Sequence, residues 1–301
     1  MGFMLLLVFL YYIFSGATIA RYYPPGRYEL NDLEVFSRKN FESMTLKELE
    51  GDTVYDLLLL GSSHCYRDFD PRIFKTYGIK AYNFGTSSQT PLNTLPILRR
   101  VIHRTRGVLL EVYPITLNIS GTESFVDLLT NTDDYVALTE MAWLLQDVRC
   151  MKLITVKPIL DRYNNNQPVD RSHYESGYVE TDQNAPPETV YERYDLDLRE
   201  VEKQLRYVEA IIKLCQKNKV KIDLVYAPVP KELVIKKENH VKARIQNICR
   251  KYGIHFYNYG RNHNLPSRTC FFDDDHLNKT GVAKFNKILI RRLIKDGLNS
   301  R

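Results

Sequence analysis

The sequence predicts an α/β protein built on a doubly wound, mainly five-stranded parallel sheet. Three observations carry that expectation. Five short apolar runs punctuate the chain after residue 53. Several of the stretches between them repeat apolar residues at the spacing of one helix face. The first run ends in Leu57-Leu58-Leu59-Leu60, apolar at successive positions, as suits a central strand covered on both faces. Strands that alternate with amphipathic helices need parallel crossovers, which set helices on both sides of the sheet.

Ahead of the sheet, Gly2 to Ala20 carry no charge and centre on Leu5-Leu6-Leu7-Val8-Phe9-Leu10-Tyr11-Tyr12-Ile13-Phe14. A membrane-spanning helix needs roughly 20 such residues, and nothing here offers water a polar face. Residues 1–21 therefore read as an N-terminal membrane anchor, with the remaining chain outside the cytoplasm, periplasmic or extracellular. Cleavage after Thr18-Ile19-Ala20 would give a secreted protein instead. Residues 22–50 form a polar approach segment, and residues 51–301 the α/β domain.

The five strands are predicted over residues 54–60, 79–83, 108–112, 220–226 and 254–257. Leu198, Val201, Leu205, Val208, Ile212 and Cys215 share one face of a long helix before the fourth strand. Val241, Ile245, Ile248 and Tyr252 do so before the fifth, with Gly253 as the C-cap. A last helix follows Asn278 and turns Val282, Phe285, Ile288, Leu289 and Leu293 inward. Residues 115–194 are an insertion, far longer than one crossover requires. Residues 124–152 of it read as helical, and 163–188, rich in Asn, Asp, Pro and Gly, as a long loop. Such a loop is either a wall of the crevice at the carboxyl ends of the strands or a solvent-facing embellishment. Tyr174 and Tyr178, flanking Gly177, are placed to stack on a sugar ring.

Composition excludes several classes. With 44% hydrophobic and 26% charged residues, the 301-residue chain is globular and not disordered. A net charge of +6 is modest, and the basic pairs (Arg99-Arg100, Lys236-Lys237, Arg291-Arg292) fall on helix faces. No nucleic-acid partner is expected. Five cysteines without metal-site spacing predict neither a disulfide framework nor zinc. No cofactor motif is present.

Two short stretches carry chemistry. Gly61-Ser62-Ser63-His64 follows the first strand, and Asp273-Asp274-Asp275-His276 precedes the last helix. A serine hydroxyl becomes a useful nucleophile when a base takes its proton and a carboxylate orients that base. Between them in sequence, Asn83-Phe84-Gly85-Thr86-Ser87-Ser88-Gln89-Thr90 enters a helix and can aim backbone N–H groups at an oxyanion. Three adjacent aspartates cannot all reach one ion, so no metal is expected. His64 adjoins the serine and either touches substrate or packs. Arg67 either binds an anionic leaving group or pairs with Asp68 or Asp70.

These blocks resemble the SGNH/GDSL family of hydrolases and acyltransferases, over nearly the whole globular part. Gly61-Ser62-Ser63 matches the Gly-Asp-Ser block, with Ser62 for the aspartate. Asp273 and His276 match the Asp-x-x-His block. Ser88 falls where the family places an oxyanion-binding glycine. The third block, Gly-x-Asn-Asp, is replaced by Glu111-Val112-Tyr113-Pro114, with Tyr113 in the asparagine's slot. The resemblance implies a flavodoxin-like fold, Ser63 as nucleophile, His276 as base and Asp273 as its orienting carboxylate. Ser88, Tyr113, Gln89 and His64 would line the oxyanion and substrate side. The implied activity is that of a serine esterase or O-acyltransferase on ester-linked acyl groups, of envelope or extracellular carbohydrate or another small ester, without a cofactor. The alternative is a non-catalytic accessory protein that binds glycan or a partner in envelope-polymer assembly. A cytosolic lipase-like enzyme would follow only if residues 1–21 are not an anchor.

Overall fold

Leu57–Gly61 forms strand β1, and all five of its residues are buried. Its alternate leucines enter different layers, as the period of a strand dictates. Leu58 and Leu60 join one hydrophobic cluster and Leu57 and Leu59 another. The computed structural model describes residues 53–131, 134–164 and 174–298. The expected anchor at residues 1–21 and the approach segment at 22–50 lie outside them. Among the described residues no helix is long and apolar enough to cross a membrane.

After β1 come helices α1 (Ser63–Asp68) and α2 (Pro71–Thr76), then β2 (Ala81–Gly85), α3 (Pro91–Val101) and β3 (Gly107–Glu111). The insertion supplies α4 (Thr122–Asn131), α5 (Tyr135–Leu145) and α6 (Val148–Asn164). It ends in a hairpin of β4 (Tyr174–Glu175) and β5 (Tyr178–Val179), followed by β6 (Arg193–Asp195). The chain closes with α7 (Leu198–Lys217), β7 (Lys221–Tyr226), β8 (Val234–Lys236), α8 (Glu238–Tyr252), β9 (Phe256–Asn258), α9 (Ser267–Cys270) and α10 (Lys279–Lys295).

The main sheet has the order β2-β1-β3-β7-β9, and every neighbouring pair is parallel. This is the doubly wound arrangement that the sequence predicts. The chain moves outward from β1 to β2, then returns across β1 to β3, so the strand order reverses at β1/β3. Loops at the carboxyl ends diverge there and leave a crevice. One layer packs α3, α5, α7 and α8 through residues such as Leu95, Leu138, Leu205 and Ile245. The other packs α2 and α10 through Phe74, Phe285 and Leu289. All five cysteines are buried free thiols.

Several details depart from the sequence reading. The first and fifth strands begin later, at Leu57 and Phe256, and Ile288, expected inward on the last helix, is exposed. The second strand runs over Ala81–Gly85 and not 79–83, because the pairing Leu57↔Ala81 through Gly61↔Gly85 carries it past the polar Asn83. Asn83 is wholly buried, so an apolar-run criterion stops too early. Within the expected loop at 163–188, the α6 helix reaches Asn164 and residues 174–179 form the hairpin. Its turn reaches the edge strand, where Asn83 N donates to Ser176 O at 3.0 Å. Gly177 has φ +83°, and a Cβ there would sit 1.6 Å from Asn83 O, so only glycine fits. Finally, β6 and β8 pair in parallel as a separate two-stranded sheet, too short for periodicity to announce.

Candidate active site

The nucleophile candidate owes its place to a turn built from three elements. Gly61 ends β1 with φ +151°, and a Cβ there would meet Glu111 Cβ at 2.6 Å. Ser62 caps α1 and accepts from His64 N at 3.4 Å. Glu111, at the end of β3, accepts from both Ser62 N (3.0 Å) and Ser62 Oγ (2.8 Å). Burial pushes the Glu111 carboxyl up, and its Oε1 is buried without a partner. An aspartate at position 62 would set two carboxylates against each other, which gives Ser62 a physical reason. Asn83 then fastens α1 to β2, its Nδ2 donating to Cys65 O and Phe69 O at 2.7 Å each. Ser63 opens α1 and is half-buried.

The second half of the site is a clasp before α10. Phe271 and Leu277 form an antiparallel bridge, and Phe272 N donates to His276 O at 3.1 Å. Asp273 Oδ1 accepts from Asp275 N (3.0 Å) and His276 N (2.7 Å), an Asx turn that fixes the loop. Two buried groups bind this half to α1. Leu277 N donates to Asp68 Oδ1 at 3.1 Å. Asn286 on α10 donates to Asp68 O (2.6 Å) and accepts from Asp70 N (2.9 Å).

The halves meet where Ser63 Oγ lies 2.7 Å from His276 Nε2. His276 Nδ1 faces two carboxylates, Asp273 Oδ2 at 2.9 Å and Asp275 Oδ1 at 2.7 Å. With acceptors only on that side, the neutral ring carries its proton on Nδ1 and offers the Nε2 lone pair to the serine hydroxyl. Burial opposes charging the ring, but Asp275 and the bonded Asp273 outweigh it and raise its pKa to about 9. Burial likewise opposes ionising Asp273, while its bond to His276 holds the carboxyl below its ordinary value. Asp274 goes the other way, to about 6, because burial and the charges of Asp275 and Asp273 all disfavour its ionised form.

Four other predicted residues fare differently. Ser88 is half-buried with φ 51°, the left-handed backbone that glycine adopts most easily. Its loop is tied to the end of β1 by Thr86 N to Gly61 O at 3.2 Å. Gln89 is a correction: it is buried and held by its own loop, accepting from Thr86 Oγ1 (2.8 Å) and donating to Thr94 Oγ1 (2.9 Å). Tyr113 is another. Its single hydroxyl proton is directed to Asp275 Oδ2 at 3.3 Å, not toward an oxyanion, and burial raises its pKa far above the ordinary value. His64 lies beneath the site at 1% exposure, with its ring nitrogens on Asp68 Oδ2 (3.1 Å) and Asp275 Oδ2 (3.3 Å).

Tyr178 is also buried, under the Arg72 guanidinium at 5.2 Å, so it cannot stack on a sugar. Arg67 pairs with neither Asp68, held by His64, nor Asp70, held by Arg72. Its guanidinium lies 4.7 Å over the Phe272 ring, which stacks on His276. The sequence reading missed Asp68, Asp275, Glu111 and Asn286. Only the first left a signal, since His64 and Asp68 stand one helical turn apart. Ligating atoms of His64, Asp275 and His276 lie within 4.8 Å of one another, yet each ring nitrogen already faces a carboxylate or Ser63. Oxygens of Asp273, Asp274 and Asp275 also lie within 4.8 Å of one another, which corrects the expectation that three adjacent aspartates cannot converge.

No family model matches the chain, and no curated protein does. Among solved structures, one similar chain comes from Desulfitobacterium hafniense DCB-2 and is described as a lipolytic protein of the G-D-S-L family. It aligns at 9% identity and TM-score 0.43, over 79% of this chain and 98% of that one. Another, a protein from Lactobacillus plantarum, aligns at 11% identity and TM-score 0.41, over 81% and 99%. Likeness at that level bears no weight on chemistry, which rests on this chain's own residues: a serine, an imidazole and a carboxylate in hydrogen-bonded sequence at the carboxyl rim of a parallel sheet.

Proposed function

We infer that the protein is a serine esterase or O-acyltransferase. The observation that carries this is the 2.7 Å contact from Ser63 Oγ to His276 Nε2, with Asp273 on the opposite ring nitrogen. In this reading His276 accepts the hydroxyl proton as Ser63 Oγ bonds to the ester carbonyl carbon. The tetrahedral intermediate collapses when the C–O bond to the leaving alcohol breaks and His276 returns the proton to that alcohol. Water or a second hydroxyl then attacks the acyl-serine by the same proton route. The Ser63 and Ser88 amides are the candidate oxyanion donors. Acylated carbohydrate is the substrate class that the SGNH/GDSL resemblance implies. Arg67, half-buried over the Phe272 ring that stacks on His276, suits a substrate with a nearby anionic group. The uncharged run from Gly2 to Ala20 supports a membrane-anchored protein facing away from the cytoplasm, which fractionation of the tagged full-length chain tests.

The test is Ser63→Ala. Hydrolysis of a small aryl ester is expected to fall by about 10⁴-fold or more, and a fluorophosphonate probe is expected to label the wild type at Ser63 and leave the variant unlabelled. Retained turnover in Ser63→Ala would sink the mechanism. One observation favours a second reading, a glycan- or partner-binding accessory protein: the Tyr113 hydroxyl is committed to Asp275. The site then lacks a side-chain oxyanion donor, whose loss elsewhere costs about 10²–10³ in rate. A wild type that neither turns over ester nor takes the label would favour that reading.

A further inference from the structure

His64 has a carboxylate at each ring nitrogen, Asp68 at Nδ1 and Asp275 at Nε2. Neither nitrogen then has room for an exposed lone pair, so the geometry calls for the doubly protonated, charged ring. Burial works against that charge, but Asp275 and Asp68 overcome it and hold the pKa well above the ordinary value. The ring stacks on His276, with centroids 4.6 Å apart and planes 24° apart. Tyr113 packs on it, centroids 4.0 Å apart. Asp275 joins the two imidazoles, one oxygen on His276 Nδ1 and the other on His64 Nε2 and the Tyr113 hydroxyl.

A base needs one carboxylate on Nδ1 to fix its tautomer. A second one, left unopposed, stabilises the imidazolium further and shrinks the neutral fraction that can act as base. We propose that His64 is a positioning residue whose fixed positive charge, stacked on His276 and paired with Asp275, partly offsets that second carboxylate and leaves His276 easier to deprotonate, and so a better acceptor of the Ser63 proton, than two carboxylates alone would make it. The inference rests on Ser63 being the nucleophile. The other charged or titratable groups facing this pair are Asp68 on α1, Glu111 on β3, Tyr113 after β3, and Asp273 and Asp274 in the clasp. Arg67 stands behind the Phe272 ring. Of these, His64 is the cation in ring contact with the base.

The pH profile of kcat/KM on p-nitrophenyl acetate, measured with the full-length protein, reads the effect. His64→Gln is expected to move the acidic limb up by about one unit or more, an approximately tenfold loss at pH 7 that recovers in alkali. Asp275→Asn is expected to move the same limb down. Nitrogen-15 NMR titration of labelled His276 is expected to follow both directions without substrate. A purely structural role would instead lower activity equally at every pH. Such flat losses, or shifts of both variants in one direction, overturn the proposal. Should His64→Gln not fold, nitrogen-15 titration of His64 in the wild type decides: a ring doubly protonated through pH 7 is expected, and a neutral one overturns the proposal. Opposite NMR shifts in a protein that takes no fluorophosphonate label would retire the enzymatic reading and keep the coupling. Label and turnover without opposite shifts would do the reverse.

Discussion

Ser88 holds a left-handed backbone, φ 51°, that costs a residue with a side chain about 1 kcal/mol more than glycine. If position 88 contributes only its amide, Ser88→Gly is expected to raise stability by about 0.5 kcal/mol and leave kcat/KM within a few-fold. Urea denaturation and ester turnover check this together, and a tenfold loss would assign the hydroxyl a role. His276 makes a second expectation. A base must be neutral to act, and its pKa is raised to about 9. The rate constant kcat/KM should climb roughly tenfold per pH unit from neutrality and level off near that value; a profile flat from pH 6 upward would contradict it. Ser63, Asp273 and His276 were legible because each lies in a short block at a strand end or helix start, where the fold aims side chains into the crevice. Asp275 was not, since three adjacent aspartates look alike until the Asx turn decides which carboxylate faces the ring. Tyr113 was misjudged for a related reason: sequence gives the slot but not the direction of the hydroxyl.

Among the elements, α1 is too short to hold itself in place, and a six-residue helix gains little from its own hydrogen bonds. The buried Asn83 amide does that work, bonding Cys65 O, Phe69 O, Gly85 N and Cys65 Sγ. Asn83→Ala would take the donor from Phe69 O and the acceptor from Gly85 N, and leave Cys65 O only the 3.3 Å bond from Phe69 N, with each buried group left unpaired costing about 1–3 kcal/mol. A fall in unfolding free energy of about 2–4 kcal/mol is expected, with slower turnover as Ser63 loses its seat; a change under about 1 kcal/mol would mean that α1 is held elsewhere. The five main strands were readable as apolar runs and the long helices from their period, most clearly for Leu198–Lys217 and Lys279–Lys295, whose apolar faces recur over several turns. Edges were less so. Where a buried polar residue such as Asn83 continues a strand, hydrophobicity falls silent although the ladder does not.

For the molecule as a whole, the clustered charges set a pH window. Asp275 sits well below its ordinary pKa because, against burial, His276 and His64 stabilise its charge. Its contribution is complete above the unfolded value of about 3.9 and is lost as pH falls through the folded one. His64 and His276 are raised, so theirs is complete below about 6.5 and is lost as pH rises through the folded values, about 9 for His276. Asp274, raised to about 6, works the other way and loses its contribution as pH rises from about 3.9 to that value. Thermal unfolding is therefore expected to show a Tm maximum near about pH 4, falling on the acid side and falling further toward alkali above about pH 6.5. A Tm still rising above pH 9 would contradict it. The strand order was implied only by the flavodoxin-like fold that the resemblance carries, whereas the hairpin at 174–179 followed from nothing periodic. That hairpin has a bearing on how copies of the protein behave when crowded. Strand β2 borders the sheet, and a bare border invites a neighbour's strand to extend the ladder into a fibre. With Ser176 and Gly177 seated on Asn83, the molecule stoppers that opening with its own backbone, and growth from that side is blocked before a second copy arrives.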